Sequence, residues 1–379
     1  MEKIPTKNKQ KSVLLLLNKV AFGGAEKVFF QQASALAKKQ YDVHIGFLYG
    51  KNEEKQSFGQ NVDACKRVDF GFSSIFDIAG YWRMRAYCKK NNIQVLYATL
   101  NDANVIARMT KVLLPTVYVC VREANMATRK SWKFKLLDIV LLPWTNRIIA
   151  VTEEVKQSLR RYMPYLNSKI AVLHNGIRKE ELWPGKRERP AGEIIFVTVG
   201  SLGEQKNHTF MIDAFEMASK QIKEKSVLHI IGDGGKREAL QEYIQSKGLE
   251  KNVMLIGNIP YAEVLQSYQQ SDIFLLSSLY EGCPNVVLEA MAQRLPVITS
   301  RVSGVSRMIT EGVSGYILEQ GDVEGFAKCM ITLAEDPSLR EQFGVAAQKQ
   351  ITQHFLFATH ITTLESLLFD YVTSYRRDV

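Results

Sequence analysis

The sequence contains no CxxC pair, no HxxxH or HExxH spacing, no Asp-x-Asp pair and no GxSxG. Its five cysteines, Cys65, Cys88, Cys120, Cys283 and Cys329, are odd in number and widely scattered, which indicates neither a disulfide framework nor a zinc knuckle. A reducing compartment fits them best. A metal bound with a diphosphate has no evident ligands, and covalent serine or cysteine chemistry has no recognisable setting. Low-complexity tracts and short-period repeats are absent too, which excludes solenoid and disordered architectures. Long apolar runs are equally scarce near the N-terminus. Lys3, Lys7, Lys9 and Lys11 precede Val13–Leu17 as they would in a secretory signal, but that run is five residues long and Lys19 closes it. It is too short for a signal core or a membrane span and reads as a buried strand, so a cytoplasmic protein is expected.

What is present suits a soluble globular chain. With 379 residues, 46% apolar and 23% charged, the chain is long for one core and comfortable for two. The net charge of +10 hides an asymmetry: residues 1–190 carry +17 and residues 191–379 carry −7. Two domains with different partners are implied, the first facing something anionic. Nucleic acid, a phosphate-bearing membrane and a phosphorylated acceptor all satisfy that charge.

Short β-branched or Leu-rich runs alternate with segments of helical period. In the first half the expected strands are Val13–Leu17, Val43–Leu48, Ile93–Ala98, Val117–Val121, Arg147–Val151 and Ile170–Leu173. In the second they are Ile194–Gly200, Val227–Gly232, Val253–Ile256, Ile273–Leu276, Pro296–Thr299 and Tyr316–Leu318. Such alternation gives parallel sheets covered on both faces. The polar stretch 178–192, with Pro184, Gly185, Lys186, Arg187, Glu188, Arg189 and Pro190, is the expected linker. The reading is thus α/β, with one domain over 1–185 and a second over 186–355. A C-terminal helix over 356–379 would pack back on the first domain.

Three segments carry chemistry. After the strand Ile273–Leu276 comes Glu281-Gly282-Cys283-Pro284-Asn285, then an apolar helix Val286–Ala292 with Glu289 as its lone charge. A buried carboxylate is costly unless paired. Glu289 either accepts a neighbouring amide or pairs with a base, or it receives ribose hydroxyls while the amides of Asn285 and Val286, just after Pro284, face a phosphate. In Gly200-Ser201-Leu202-Gly203-Glu204-Gln205-Lys206-Asn207, Lys206 precedes a helix whose positive end disfavours it, a conflict that a shared anion would remove. By the alternative it is an exposed lysine. Gly23-Gly24 after the first strand permits close backbone approach at a helix start, or is simply a turn. It does not belong to a GxGxxG pattern, and Gly232-Asp233-Gly234-Gly235-Lys236 lacks phosphate-loop spacing.

Together these pieces resemble glycosyltransferase family 4, retaining enzymes of the GT-B fold. The specific element is E-x7-E, here Glu281…Glu289. Supporting matches are Gly23-Gly24-Ala25-Glu26, His174-Asn175-Gly176-Ile177, Gln205-Lys206-Asn207, Ile231-Gly232-Asp233-Gly234, Ile256-Gly257-Asn258 and Gly304. The resemblance implies two doubly wound Rossmann-like domains facing across a cleft, 1–185 on the acceptor side and 186–355 binding the nucleotide sugar. It implies that Glu289 binds the ribose, Glu281 the transferred sugar and backbone near Ile259 the base. Lys206, amides around Asn285 and the Gly23-Gly24 loop would neutralise the diphosphate, so no metal or cofactor is needed for a UDP- or GDP-linked donor. Front-face attack by the acceptor hydroxyl is the family's expected mechanism.

Four departures stand out. Ser201 occupies a position where the family usually has a diphosphate-gripping arginine. Arg122-Glu123 stands where His-Asp is often found, which lets Arg122 touch donor or acceptor. Arg301 and Arg307 replace common acidic residues, and one of them is expected to compensate for Ser201. For the acceptor, Arg129-Lys130-Ser131-Trp132-Lys133-Phe134-Lys135 interleaves cations with aromatics before an apolar stretch to Trp144. That segment either rests on an anionic membrane, presenting a lipid-linked acceptor, or is a solvated helix whose apolar residues are core. The expected function is sugar transfer from a nucleotide donor to a glycan or lipid-linked acceptor in cell-surface polysaccharide or glycolipid assembly, by a cytoplasmic protein placed peripherally on the inner membrane face. Alternatives are a nucleotide-sugar-binding protein of the same fold with reduced turnover, motivated by Ser201, and a nucleotide-sugar epimerase. Nucleic acid is disfavoured because no known module accompanies the basic residues.

Overall fold

The computed structural model describes residues 10–19, 23–49, 64–166, 168–185 and 192–375, the side chains of 371–375 excepted. Lys3, Lys7, Lys9 and the linker residues Lys186, Arg187, Glu188, Arg189 and Pro190 lie outside the described residues. Two compact units result, residues 1–174 with 360–379, and residues 175–359.

In chain order the first unit contains β1 (Ser12–Leu17), α1 (Gly24–Lys38), β2 (Asp42–Phe47), β3 (Lys66–Asp69), α2 (Ile78–Lys90), β4 (Val95–Thr99) and α3 (Asn101–Leu113). β5 (Tyr118–Glu123), α4 (Trp132–Val140), β6 (Arg147–Ala150), α5 (Glu153–Arg160) and β7 (Ile170–Val172) follow. Its parallel sheet has the order β3-β2-β1-β4-β5-β6-β7. β1, all apolar after Ser12 and buried on both faces, sits at the centre, with Val13 opposite both Val43 and Val95. Right-handed crossovers from this order put α2, α3, α4 and α5 on one face and α1 on the other.

The second unit contains β8 (Glu193–Val199), α6 (His208–Ser219), β9 (Lys225–Ile231), α7 (Arg237–Ser246), β10 (Val253–Gly257), α8 (Tyr261–Gln270) and β11 (Ile273–Leu276). Then come α9 (Asn285–Ala292), β12 (Val297–Ser300), α10 (Val305–Met308), β13 (Gly315–Leu318), α11 (Val323–Glu335) and α12 (Pro337–His354). The sheet order is β10-β9-β8-β11-β12-β13, again parallel. Strand order reverses beside β1 and β4 in one sheet and beside β8 and β11 in the other. Ligands of open α/β sheets sit at the carboxyl ends of the strands there.

The boundary lies at 174/175 rather than 185/186. Residues 176–185 are stitched to the second unit: Ile177 N–H donates to Phe355 O, Trp183 N–H to Ala292 O, and Arg294 Nη1 to Gly185 O. The final helix, α13 (Phe357–Tyr375), belongs from His360 onward to the first unit. There His360 Nε2 meets Gln32 at 2.8 Å and Phe369 stacks on Tyr41 at 4.3 Å, which covers the sheet on the α1 side.

Candidate functional site

In the second unit, the loops after β8 and β11 are tied together by hydrogen bonds. Ser277 Oγ donates to the carbonyls of Lys206 and Asn207, Gln205 Nε2 donates to Tyr280 O at 2.9 Å, and Leu279 N–H donates to Gln205 O at 2.8 Å. The effect is to deliver Lys206 to Glu281. Lys206 Nζ lies 2.6 Å from Glu281 Oε1, with the side chains 15% and 10% exposed. Ser278, fully buried, donates its hydroxyl to the same carboxylate at 2.8 Å. The Lys206 stem runs along Gly200, where a Cβ would stand 2.9 Å from Lys206 Cε. Glu281 is therefore the anion that offsets the positive end of α6 beside Lys206. His208, the first residue of that helix, is held neutral, pushed down to about 4 by burial and by the Lys206 charge.

α9 begins at Asn285 with Pro284 as N-cap and no side-chain cap, so its first amides are uncovered by any capping side chain. Asn285 Oδ1 accepts from Asn175 Nδ2 at 2.6 Å. Val286 is half-buried, and from Val287 the helix is buried through Ala292. Glu289 is 7% exposed and accepts from the phenol of Tyr268 on α8, Oη to Oε2 being 3.4 Å. Burial, then the Glu289 charge, drives the Tyr268 phenol well above its ordinary pKa, so it stays a donor. Tyr261 is raised similarly by burial and by Glu289 and Glu181. Ile259 packs half-buried between β10 and α8. Thus Lys206, Glu281, Pro284, Asn285, Val286 and Glu289 converge on two adjoining loops and one helix.

Ser201 is exposed at the end of β8, and its hydroxyl has no partner among the described residues. Arg301 and Arg307, the residues expected to compensate for it, both lie at the surface. Arg301 Nε is paired with Glu319 at 2.5 Å, and Arg307 is exposed on α10. The cation attached to the Ser201 turn is Lys236, whose N–H donates to Leu202 O and whose Nζ pairs with Glu204 at 2.9 Å. Sequence spacing did not bring out Ser278 or Tyr268 and set Lys236 aside for lacking phosphate-loop spacing, because each reaches its partner only through tertiary packing.

The first unit holds a second polar centre. Gly23 is the N-cap of α1, and a Cβ on it would stand 2.3 Å from Glu26 Oε2. Gly24 opens the helix. Burial raises the Glu26 pKa, opposed by its own backbone amide and by Arg122. Arg122 is 2% exposed at the end of β5 and lines a cavity of about 90 Å³ with Asn101, Asn125 and Arg129. Beneath it, Lys130 bridges Glu123 and Asp138 at 2.7 Å each, and Arg108 also pairs with Asp138. Burial opposes the Asp138 charge, but Lys130 and Arg108 outweigh it and hold the carboxyl below its ordinary range. Among the described residues no three His, Cys, Asp or Glu side chains are grouped to hold a metal ion.

These two centres lie at the carboxyl ends of two parallel sheets, and comparison with known proteins agrees. The family model Glycosyltransferase Family 4 matches residues 22–181, and Glycosyl transferases group 1 matches residues 179–350. The chain belongs to glycosyltransferase family 4. It is a glycosyltransferase. A UDP-Gal:alpha-D-GlcNAc-diphosphoundecaprenol alpha-1,3-galactosyltransferase of Escherichia coli is 24% identical over 93% of this chain and 95% of its own. The capsular polysaccharide biosynthesis glycosyltransferase CapM of Staphylococcus aureus is 24% identical over 89% and 92%. The Anabaena HepE structure in complex with UDP superposes with a TM-score of 0.81 at 17% identity over 96% of this chain and all of that one. The fold is that of the GT-B glycosyltransferases.

Proposed function

We propose that this enzyme transfers a sugar, with retention of anomeric configuration and without a metal ion, from a UDP- or GDP-linked donor to a glycan or lipid-linked acceptor in cell-surface polysaccharide or glycolipid assembly. The observation that carries the proposal is the Lys206–Glu281 pair, 2.6 Å apart in the loops at the carboxyl ends of β8 and β11, with Glu289 one turn inside the helix that follows. In this reading Glu289 receives the ribose hydroxyls and Ile259 backbone meets the base. The amides of Asn285 and Val286 and the Lys206 ammonium take the diphosphate, and Glu281 holds the sugar. Negative charge accumulates on the departing diphosphate, and preorganised cations and amides stabilise it without reorganisation. Arg122, with Glu26 and the Gly23-Gly24 turn, we assign to the acceptor side. The relatives' printed activities support this: one acts on a diphosphoundecaprenol-linked sugar and another belongs to capsular polysaccharide biosynthesis. The enzyme then works at the cytoplasmic face of an anionic membrane.

The test is donor hydrolysis of UDP- and GDP-sugars in the presence of EDTA, followed by NMR of the released sugar. The first product should keep the donor's anomeric configuration and the rate should survive chelation. Release of the inverted anomer, or loss of all turnover with EDTA, contradicts the proposal. Binding without turnover would mark a nucleotide-sugar-binding protein instead.

A further inference from the structure

α4 is built inside out. Its one acid, Asp138, is buried between Arg108 and Lys130, while Trp132, Leu136, Ile139 and Val140 are 70%, 52%, 46% and 53% exposed. Spaced at i, i+4, i+7 and i+8, these four form a single outward stripe. The apolar residues that follow Lys135 are thus mostly not core. A soluble surface does not ordinarily carry such a contiguous stripe.

A second cluster lies on the same layer. Ile78 and Trp82 at the start of α2 are 73% and 54% exposed, beside Phe76 at 78%. The Arg85 guanidinium sits 5.2 Å from the Trp82 ring centre. α2 packs on α3 and α3 on α4, on the face where the crossovers place all three. Three of the chain's four tryptophans, Trp82, Trp132 and Trp144, are exposed on this side. Indole rings favour the headgroup level of a bilayer, with an apolar body and a polar edge.

Charge narrows the choice of partner. Within α2, α3 and α4 the acids are Asp102 and Asp138. Asp102 is half-buried and accepts from Tyr49, and Asp138 is buried. The exposed charges on the three helices, Lys89, Lys90, Lys133 and Arg83, the last paired with Asp77 at 3.2 Å, are all positive. A second copy docked on this face would set cations against cations. An anionic lipid surface meets both the apolar stripe and the cations.

The geometry points to the outer face of the α2–α3–α4 layer as a docking surface for an anionic phospholipid membrane, anchored by Trp132 and Leu136 on α4 and by Ile78 and Trp82 on α2. This deepens the membrane location given under the proposed function and rests on it. α2 and α4 both start from the carboxyl edge of the sheet, where the Arg122 cavity lies, so an acceptor headgroup held by the lipid needs no long reach.

The experiment is co-sedimentation of the full chain with phosphatidylcholine vesicles containing about one-quarter phosphatidylglycerol, and with phosphatidylcholine alone. Wild type should pellet with the anionic vesicles and release as salt rises. Trp132→Ser/Leu136→Ser and Ile78→Ser/Trp82→Ser should each lower the partition constant at least about tenfold. Lys133→Glu should weaken the preference for anionic vesicles about tenfold or more. The altered side chains are exposed, so each variant should keep its melting temperature and its hydrolysis of soluble donor. Those readouts separate this surface from the donor site: lost hydrolysis with vesicle binding intact would overturn the enzymatic reading and leave the surface standing. Wild type that fails to pellet at low salt overturns the surface, as do double variants that pellet equally. Self-association that depends on Trp132 without vesicle binding overturns it too, assigning the face to a second copy.

Discussion

Replacing Lys206 with methionine keeps the apolar stem that lies along Gly200 and removes only the charge. Two effects follow, and they separate. The Glu281 carboxylate, 10% exposed, keeps the Ser278 hydroxyl at 2.8 Å but loses the ammonium at 2.6 Å. Leaving one member of a mostly buried pair uncompensated, with one hydrogen bond remaining, should cost about 2 kcal/mol. For a unit the size of residues 175–359 that is a fall of about 4–8 °C in melting temperature. Glu281→Gln added to Lys206→Met removes the uncompensated charge and should restore most of that stability. Turnover behaves differently. A cation preorganised at the departing diphosphate is worth about 100- to 1,000-fold in kcat, and the second substitution does not replace it. The assay pairs differential scanning calorimetry with release of nucleoside diphosphate from a soluble donor analogue. Lys206→Met retaining turnover within about threefold of wild type, or a double variant that regains activity along with stability, would refute the reasoning. Lys206 would then be a structural partner of Glu281 and nothing more.

Glu289→Gln keeps an acceptor for the Tyr268 phenol but loses the charge toward ribose, so donor affinity should fall about 10- to 100-fold with little change in melting temperature, read by titration calorimetry. His360 has a folded-state pKa of about 4 against an ordinary 6.5, lowered first by burial. Between those values the unfolded chain binds more protons, so stability falls as pH drops through that window. His360→Gln should flatten the denaturation slope there by about 1.4 kcal/mol per pH unit, and an unchanged slope would contradict the burial argument. Asp138→Ala strands Arg108 and Lys130, respectively 1% and 8% exposed, and should cost about 3–5 kcal/mol in urea denaturation. A loss below about 1 kcal/mol would mean that water or Glu123 already screens them.

Strand positions were legible wherever a strand is buried. All twelve apolar runs appear as strands with ends shifted by a residue or two, and in the central strands burial on both faces forces continuous Val, Ile and Leu. The strand that sequence missed, β3, reads Lys66-Arg67-Val68-Asp69, sits at the sheet edge and has no buried side chain. Nothing apolar marks it. The E-x7-E spacing placed Glu281 and Glu289 on one loop and the helix after it, whereas the Lys206–Glu281 contact spans 75 positions and depends on the loop tethers from Ser277 and Gln205. The pairing of Arg301 with Glu319, just after β13, is equally a product of tertiary packing. The segment 129–144 shows the limit most clearly. Its composition fits a core helix or an exposed one equally, and only the burial of Asp138 between two cations decides which side faces out.

The central claim is that the second unit holds a nucleoside diphosphate against Lys206, the start of α9 and Glu289. Titration calorimetry of UDP and GDP into wild type, Lys206→Ala and Glu289→Ala, all in EDTA, tests it most directly. One of the two nucleotides should bind wild type, and each variant should weaken it at least about tenfold, the loss expected for a charged hydrogen bond. Binding of neither nucleotide to wild type, or equal affinity in all three proteins, would contradict the claim.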